Sequence, residues 1–518
     1  MLPISRSSIF NNAGGTLKGC ALALCFMTTP SVSAIKGWTV SQLTPEEEQL
    51  RLSIRDWTPS VNTRGDLPPC VDNSLLKFFP EVFNQGFNNA CSQAAGVRYA
   101  FSYEVNRILD RDASLPDNVF SYHFTWNFLN EGDNMGSHAF LGYHMMKDCG
   151  AVPLSVFDDQ PYSYAQQTQW LSGYDIYQDA LRCRVESYQK INLKTGYGID
   201  YLRRYLYDHG DGSETGGVAT ISCYTDDWGY RRYDGPSNSE ISYTVTKEGE
   251  DGPHAITIVG YDDSFEFDFN CDGVIADNER GAFIFVNSWG DIWGSKGKCY
   301  LPYSVILADS SEGGLKETDA DAYIVEPTFS SPRFVYRVGL HYDRREELSF
   351  IIGVADGNDA THAQEETIPR IMNNQGGNYP MQGKGGDTHM EVAFWSGLLQ
   401  QKAEECSEPK FFLSVRRTAA SGSGELTWFS VADLLTGKEY SYNGNPVTLT
   451  RGLHTVSTGL AGSSYSSPHS IWKWLYDGTN APFNSPYLIR TANGQTRKMR
   501  IDGYDSKTGK ITITHRKI

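Results

Sequence analysis

Residues 83–109 read FNQGFNNACSQAAGVRYAFSYEVNRIL. Gln85 stands six residues ahead of Cys91, with a glycine and two asparagines between them. From Cys91 onward, small and apolar residues recur at Ala94, Ala95, Val97, Ala100, Phe101, Val105 and Ile108, a spacing that predicts a buried helix opened by the cysteine. A thiol attacks a carbonyl only as thiolate, so a reactive Cys91 needs something to lower its pKa. The positive end of a helix supplies roughly 0.3–2 kcal/mol toward that, too little alone. An imidazole partner is therefore required, with a donor aimed at the oxyanion that attack creates. The Gln85 side chain and the Cys91 backbone N–H are candidates for that donor pair.

Two later stretches supply the missing groups. HAITIVGY (254–261) and GAFIFVNSW (281–289) both read as strands, the first opening on His254 and the second running into Asn287. With these in place, three segments resemble papain-like cysteine peptidases, in the order that family uses. They are PEVFNQGFNNACSQAA (80–95) around the cysteine, GPHAITIVGYDD (252–263) around the histidine, and NSWGDIWGSKGKCYLPY (287–303) around the asparagine. The last is the most specific, with N-S-W-G, a second W-G and a following glycine; the cysteine segment alone is weak.

The resemblance covers residues 66–326. It implies an α+β fold with a two-lobed catalytic domain, one lobe helical and the other β-barrel-like. It also implies Cys91 as nucleophile, His254 as base and acid, and Asn287 as the amide that orients the imidazole. Gln85 becomes the oxyanion donor, and Trp289 a cover that keeps water from the His–Asn hydrogen bond. The chemistry is self-consistent: thiolate and imidazolium stabilise each other, and a neutral amide fixes the ring without taking its proton. Protein or peptide substrates are the implied partners, and the reaction itself needs no cofactor.

The chain departs from the family at several positions. The family commonly has a cysteine where Asn88 stands, bonded to one in a Gly-rich loop that corresponds here to GDNMG (132–136), with Asp133 at the cysteine position. Both halves of that bridge are missing together, which predicts hydrogen bonds in the cleft wall instead. Met135 and Gly136 are expected where extended substrate backbone approaches, Met135 in place of a glycine. Ser92 occupies a position usually held by Trp.

Between His254 and Asn287 lies DFNCDGVIADNE (268–279), which matches D-x-[DN]-x-[DN]-G-x5-E in full. Asp268, Asn270 and Asp272 would offer side-chain oxygens, Val274 its carbonyl and Glu279 a bidentate carboxylate, with Gly273 at the sharp turn. Hard oxygen donors at this spacing suit Ca²⁺ rather than zinc or copper. The flanks read as strands, so the expectation is an EF-hand-like loop without paired helices, in which a structural ion braces the hairpin that carries His254 and Asn287. A solvated acidic turn is the plain alternative.

Working outward, a formal charge of −17 argues against nucleic-acid binding, and 40% hydrophobic residues fit a folded globular chain. Residues 1–34 resemble an export signal: Arg6 and Lys18 precede GCALALCFMTT, and small residues lead to Ala34. Secretion, periplasmic release or a cell-surface location follows as an expectation, and no later segment has the ~18 apolar residues needed to span a bilayer. Eight cysteines remain beyond residue 34, without zinc spacing.

Residues 35–65 form a leader, in which Thr44-Pro45-Glu46-Glu47 predicts a capped helix; it is either a packing arm or a short inhibitory pro-segment. EPTFSSPRF marks a linker at 327–332. Beyond it, residues 333–518 alternate with period two in FVYRVGLHY and KITITHRKI, predicting a β-sandwich-like domain with an unassigned ligand. Its tryptophans and tyrosines (Trp395, Trp428, Trp472, Trp474, Tyr476) read as core aromatics before they read as a binding platform. Two other functions use the same residues: an inactive binding or adhesion protein on this scaffold, or a thiol acyltransferase or exopeptidase with the same triad.

Overall fold

The computed structural model describes residues 40–60, 65–159 and 164–459, and strand segments 486–490, 496–505 and 510–517. The export-like segment 1–34 and the aromatics Trp472, Trp474 and Tyr476 lie outside these residues. The fold mixes helices and sheets, as the α+β expectation has it. Among the described residues no helix is long and apolar enough to cross a membrane.

The first half is organised on a nine-stranded sheet. Its strands run in the order Arg184–Asn192, Asp321–Thr328, Ala219–Asp226, Asp251–Glu266, Arg280–Val286, Lys298–Pro302, Tyr243–Lys247 and Gly229–Arg232, and Cys70–Asp72 pairs off Asp251–Glu266. This path does not return on itself among the described residues, where the resemblance implied a barrel-like lobe. The outer edge of Arg184–Asn192 is met by the leader, the Trp57 N–H donating to the Lys190 carbonyl at 2.8 Å and the Lys190 N–H to the Arg55 carbonyl at 3.0 Å.

Against the sheet lies the segment that opens on Cys91. It winds as α-helix at Cys91–Gln93, as π-helix at Ala94–Phe101 and again as α-helix at Ser102–Leu109. Ala94, Ala95, Val97, Ala100, Phe101 and Val105 are buried as their spacing predicts, while Ile108 is 38% exposed. The Thr257 hydroxyl donates to the Ala95 carbonyl at 3.1 Å, locking this helix to the strand that carries His254.

The leader forms the helix Pro45–Ser53. Thr44 Oγ1 accepts from the Glu47 N–H at 3.2 Å, and a Glu47 carboxylate oxygen accepts from the Thr44 N–H at 2.8 Å, which closes the capping box expected there.

Beyond residue 333, two antiparallel sheets share one apolar core. One contains Phe334–Tyr342, His389–Phe394, Gly424–Asp433 and Lys438–Ser441; the other contains Leu348–Asp356, Glu365–Thr367, Pro409–Arg417 and Gly452–Ser457. That core is continuous with Phe124, Phe128, Trp170 and Tyr177 from the first half. The linker-like stretch is itself anchored: Pro327 and Thr328 pair with Val185 and Arg184, and an Arg184 Nη donates to the Ser330 carbonyl at 3.0 Å. Strands Thr496–Asp505 and Lys510–Lys517 pair antiparallel, and residues 506–509 between them lie outside the described residues.

Candidate active site

Strand register brings His254 and Asn287 together. Thr257 faces Val286 across the Asp251–Glu266/Arg280–Val286 ladder, so residue 287 leaves its strand beside the start of the histidine strand. His254 Nε2 and Asn287 Oδ1 are 2.8 Å apart. The Ser288 N–H donates to that same Oδ1 at 2.7 Å. Since a backbone N–H can only donate, the oxygen of the amide must face it, and His254 Nε2 must then carry the proton. Nδ1 is left as the basic nitrogen. The Trp289 ring lies over the imidazole with centroids 4.6 Å apart, as a cover would.

Cys91 reaches the same place from the helix. With Ala95 it forms a small buried cluster against Ala255, the residue that follows His254. Burial pushes the Cys91 thiol up to about 11, partly offset by the backbone N–H groups of Ala255, Ser92 and Cys91 itself. Burial likewise pulls the His254 imidazole down to about 4, against the opposing pull of the Asn287 hydrogen bond. Burial thus favours the neutral form of each group, against the thiolate–imidazolium pair that the resemblance implies. Desolvation penalises each charge, and Cys91 and His254 are only 6% and 3% exposed.

No protein-family model and no curated protein matches the chain. Among solved structures it is similar to xylellain, a cysteine protease from Xylella fastidiosa, with 20% identity over 56% of this chain and 95% of that one, at a TM-score of 0.36. It is similar also to the bromelain protease from Ananas comosus, with 15% identity over 50% and 99% of the two chains and a TM-score of 0.31. Digestive procathepsin L 3 of the Tenebrio molitor larval midgut gives 16% identity over 56% and 83%, again at 0.31.

Gln85 is fully buried, and its carboxamide is held at both ends. Its Nε2 donates to the Asn88 carbonyl at 2.6 Å, which leaves one hydrogen of that group. Its Oε1 accepts from the Ser288 hydroxyl, and its backbone N–H donates to the Ser288 carbonyl at 2.9 Å. Tyr99 ties the same parts together: its hydroxyl accepts from the Phe83 N–H at 3.1 Å and donates to the Asn287 carbonyl at 3.3 Å.

The cleft wall is hydrogen-bonded through Asn134. The Asn89 N–H donates to Asn134 Oδ1 at 2.8 Å, Asn89 Nδ2 to the Asn134 carbonyl at 2.6 Å, and Asn134 Nδ2 to the Phe87 carbonyl at 2.9 Å. Asn88 points inward, its Nδ2 donating to the Tyr122 hydroxyl at 3.2 Å. Residue spacing in the motif located the wall, but nothing in it singled out Asn134, Ser288 or Tyr122.

Met135 offers its carbonyl to Trp126 Nε1 at 2.9 Å. The Gly136 carbonyl, expected to meet substrate backbone, accepts from the leader's Ser41 N–H at 3.1 Å, and Val40 forms a parallel bridge with Gly136.

The 268–279 loop turns tightly, with Gly273 at φ 84°. Asp268 accepts from the Asp272 and Gly273 N–H groups at 3.2 and 2.8 Å. The Glu279 oxygens accept from the Phe269 and Ala276 N–H groups, both at 2.9 Å, which brings the end of the loop back to its start. Asn270 Nδ2 donates to an Asp272 oxygen at 3.0 Å, and the Val274 N–H donates to the other at 2.8 Å. Oxygen donors of this type fit Ca²⁺ in kind. Among the described residues, however, no three His, Cys, Asp or Glu side chains are gathered as a metal-binding group.

All eight cysteines beyond the export-like segment are free thiols. His144 on the helix Ala139–Cys149 is bonded to the Tyr188 hydroxyl at 2.9 Å and to Arg370 Nε at 2.7 Å, a packing role.

Proposed function

We propose that this chain is an exported cysteine peptidase of the papain-like type, hydrolysing peptide bonds through Cys91, His254 and Asn287. The observation that carries the reading is the 2.8 Å bond between His254 Nε2 and an Asn287 oxygen already held by the Ser288 N–H, beneath Trp289 and beside the Cys91 cluster. Such an imidazole keeps Nδ1 for the thiol proton. Loss of that proton lets Cys91 sulfur attack the peptide carbonyl, and the negative charge moves to the carbonyl oxygen, toward the Cys91 N–H and the remaining Gln85 N–H. Collapse breaks the C–N bond as His254 returns the proton to the leaving amine, giving a thioester. Water then attacks that thioester, losing a proton to His254, and the acid departs as the thiol is restored.

On this reading residues 66–326 form the catalytic domain, in two lobes, and residues 333–518 a β-sandwich-like domain after the 327–332 connection. The Ser41–Gly136 bond favours the inhibitory pro-segment over the packing arm for the leader, because it occupies backbone that substrate would use. Ca²⁺ is proposed as a structural ion for the 268–279 loop, held by Asp268, Asn270, Asp272, Val274 and Glu279; it would add charge neutralisation to the hairpin and take no part in the chemistry.

A thiol-alkylating peptide probe tests the assignment. Labelling at Cys91 that disappears in Cys91→Ala is expected, whereas labelling unchanged by that substitution favours an inactive binding scaffold. Calcium added to chelator-treated protein should raise the melting temperature, and no shift at roughly millimolar ion would remove the ion proposal, since even weak extracellular-type sites fill there.

A further inference from the structure

A buried polar chain runs to Gln85 from the turn Arg345–Glu347, which joins the strands Phe334–Tyr342 and Leu348–Asp356 of the two C-terminal sheets. Arg345 Nη2 donates to the Thr168 carbonyl at 2.7 Å, and the guanidinium lies 4.0 Å above the Trp170 ring. The Lys384 N–H donates to Thr168 Oγ1 at 2.9 Å, and Asn130 Nδ2 donates to the Gln167 carbonyl at 2.8 Å. Residues 167 and 168 are thereby held from both sides. Gln167 Nε2 donates in turn to Asn88 Oδ1. With Nδ2 on Tyr122, both polar ends of the Asn88 side chain are committed, and its carbonyl is the acceptor for Gln85 Nε2.

Gln85, Asn88 and Gln167 are 0%, 1% and 7% exposed, so water does not readily replace a lost partner. An unsatisfied buried group costs about 1–3 kcal/mol, which makes each bond in the chain depend on the next.

We propose that Gln167 is a positioning residue for the oxyanion donor, acting through Asn88 on Gln85, on a segment that the C-terminal sheets hold through Arg345. This rests on the peptidase reading above. One Gln85 Nε2 hydrogen is spent on the Asn88 carbonyl, and that bond aims the other. If Asn88 loosens, the carboxamide swings and the second hydrogen leaves the line of the developing oxyanion. The C-terminal sheets are then part of the catalytic unit, since they fix the backbone from which Gln167 projects.

Two reactions of the same thiol separate this role from general packing. Peptide hydrolysis passes through an oxyanion; alkylation by iodoacetamide, in which sulfur displaces iodide from carbon, does not. In Gln167→Leu, kcat for peptide hydrolysis should fall roughly 10- to 100-fold with KM changed by less than about 3-fold, while Cys91 alkylation stays within about 2-fold of wild type. The double variant Gln85→Ala/Gln167→Leu should hydrolyse as slowly as Gln85→Ala alone, because the two residues act in series. Unchanged hydrolysis in Gln167→Leu, hydrolysis and alkylation falling together, or losses that multiply in the double variant would each overturn the proposal. A wild type that neither turns over peptide nor is alkylated at Cys91 would instead remove the peptidase reading, and this proposal with it.

Discussion

In the proposed site, the imidazole side and the oxyanion side are built differently. His254 and Asn287 come from adjacent strands, and the ladder between Thr257 and Val286 sets their separation. Strand pairing moves in whole residues, and a slip of one turns every side chain to the opposite face, so this side is either right or lost. Gln85 stands on irregular chain from Phe83 to Ala90, held by side-chain bonds to Asn88, Asn134, Gln167 and Ser288. Each of those is worth on the order of 1 kcal/mol, so this side yields in steps. Damage on the imidazole side should abolish chemistry without softening the structure; damage on the oxyanion side should do both in part.

The largest expected effect is at His254. His254→Ala should lower kcat/KM for peptide hydrolysis by roughly 10³-fold or more, with a melting temperature near wild type. Retention of activity within ten-fold would separate the imidazole from the chemistry. Next comes Asn134→Ala, which removes side-chain bonds to the Asn89 and Phe87 backbone. It should cost about 1–3 kcal/mol in denaturant unfolding and roughly 10-fold in kcat, since donors misplaced by an ångström lose much of their effect. If only activity changes, the oxyanion side is as rigid as the strands.

The pH dependence of Cys91 alkylation tests what burial does to the thiol and the imidazole. With the thiol pushed up to about 11 and the imidazole pulled down to about 4, the thiolate fraction should climb steadily from pH 6 to beyond pH 9. A flat rate from about pH 5 to 8 would mean that an ion pair forms and that the cleft opens to solvent.

The smallest effect is at Glu248, buried behind the strand whose Cys223 faces His254. Burial pushes its carboxyl from 4.5 up to about 8. The folded state therefore binds this proton more tightly than the unfolded chain does. That stabilisation is fully present below pH 4.5 and is lost as pH rises through about 8. Glu248→Gln, which retains an oxygen for the Tyr224 N–H, should flatten the fall in melting temperature between pH 5 and 8. A slope unchanged from wild type would mean that the carboxyl is solvated.

The same division decides what could be read from residues alone. β-branched and aromatic runs in HAITIVGY and GAFIFVN mark strands, but only the resemblance implies that His254 and Asn287 meet; in the structure the register between Thr257 and Val286 brings them together. The capping box at Thr44 and the strand Phe334–Tyr342 were equally readable, because each is decided by neighbours a few positions away. Asn134, Ser288 and Gln167 carry no such local signal: their bonds span separations of 45, 203 and 79 residues. The shared core between Phe124, Trp170 and the C-terminal sheets was hidden for the same reason. An amphipathic stretch declares that it has a buried face, not what lies against it. Nor could spacing reveal that Ser41 would take the Gly136 carbonyl, a backbone bond open to any residue but proline.

The most direct measurement is hydrolysis of a quenched fluorescent peptide mixture by wild type and Cys91→Ala, prepared together and compared for melting temperature. A cleaving wild type and a variant of equal stability whose rate is lower by roughly 10³-fold or more is the result predicted for a sulfur nucleophile. Equal cleavage by both proteins, or none by a folded wild type after its leader is trimmed away, would contradict it.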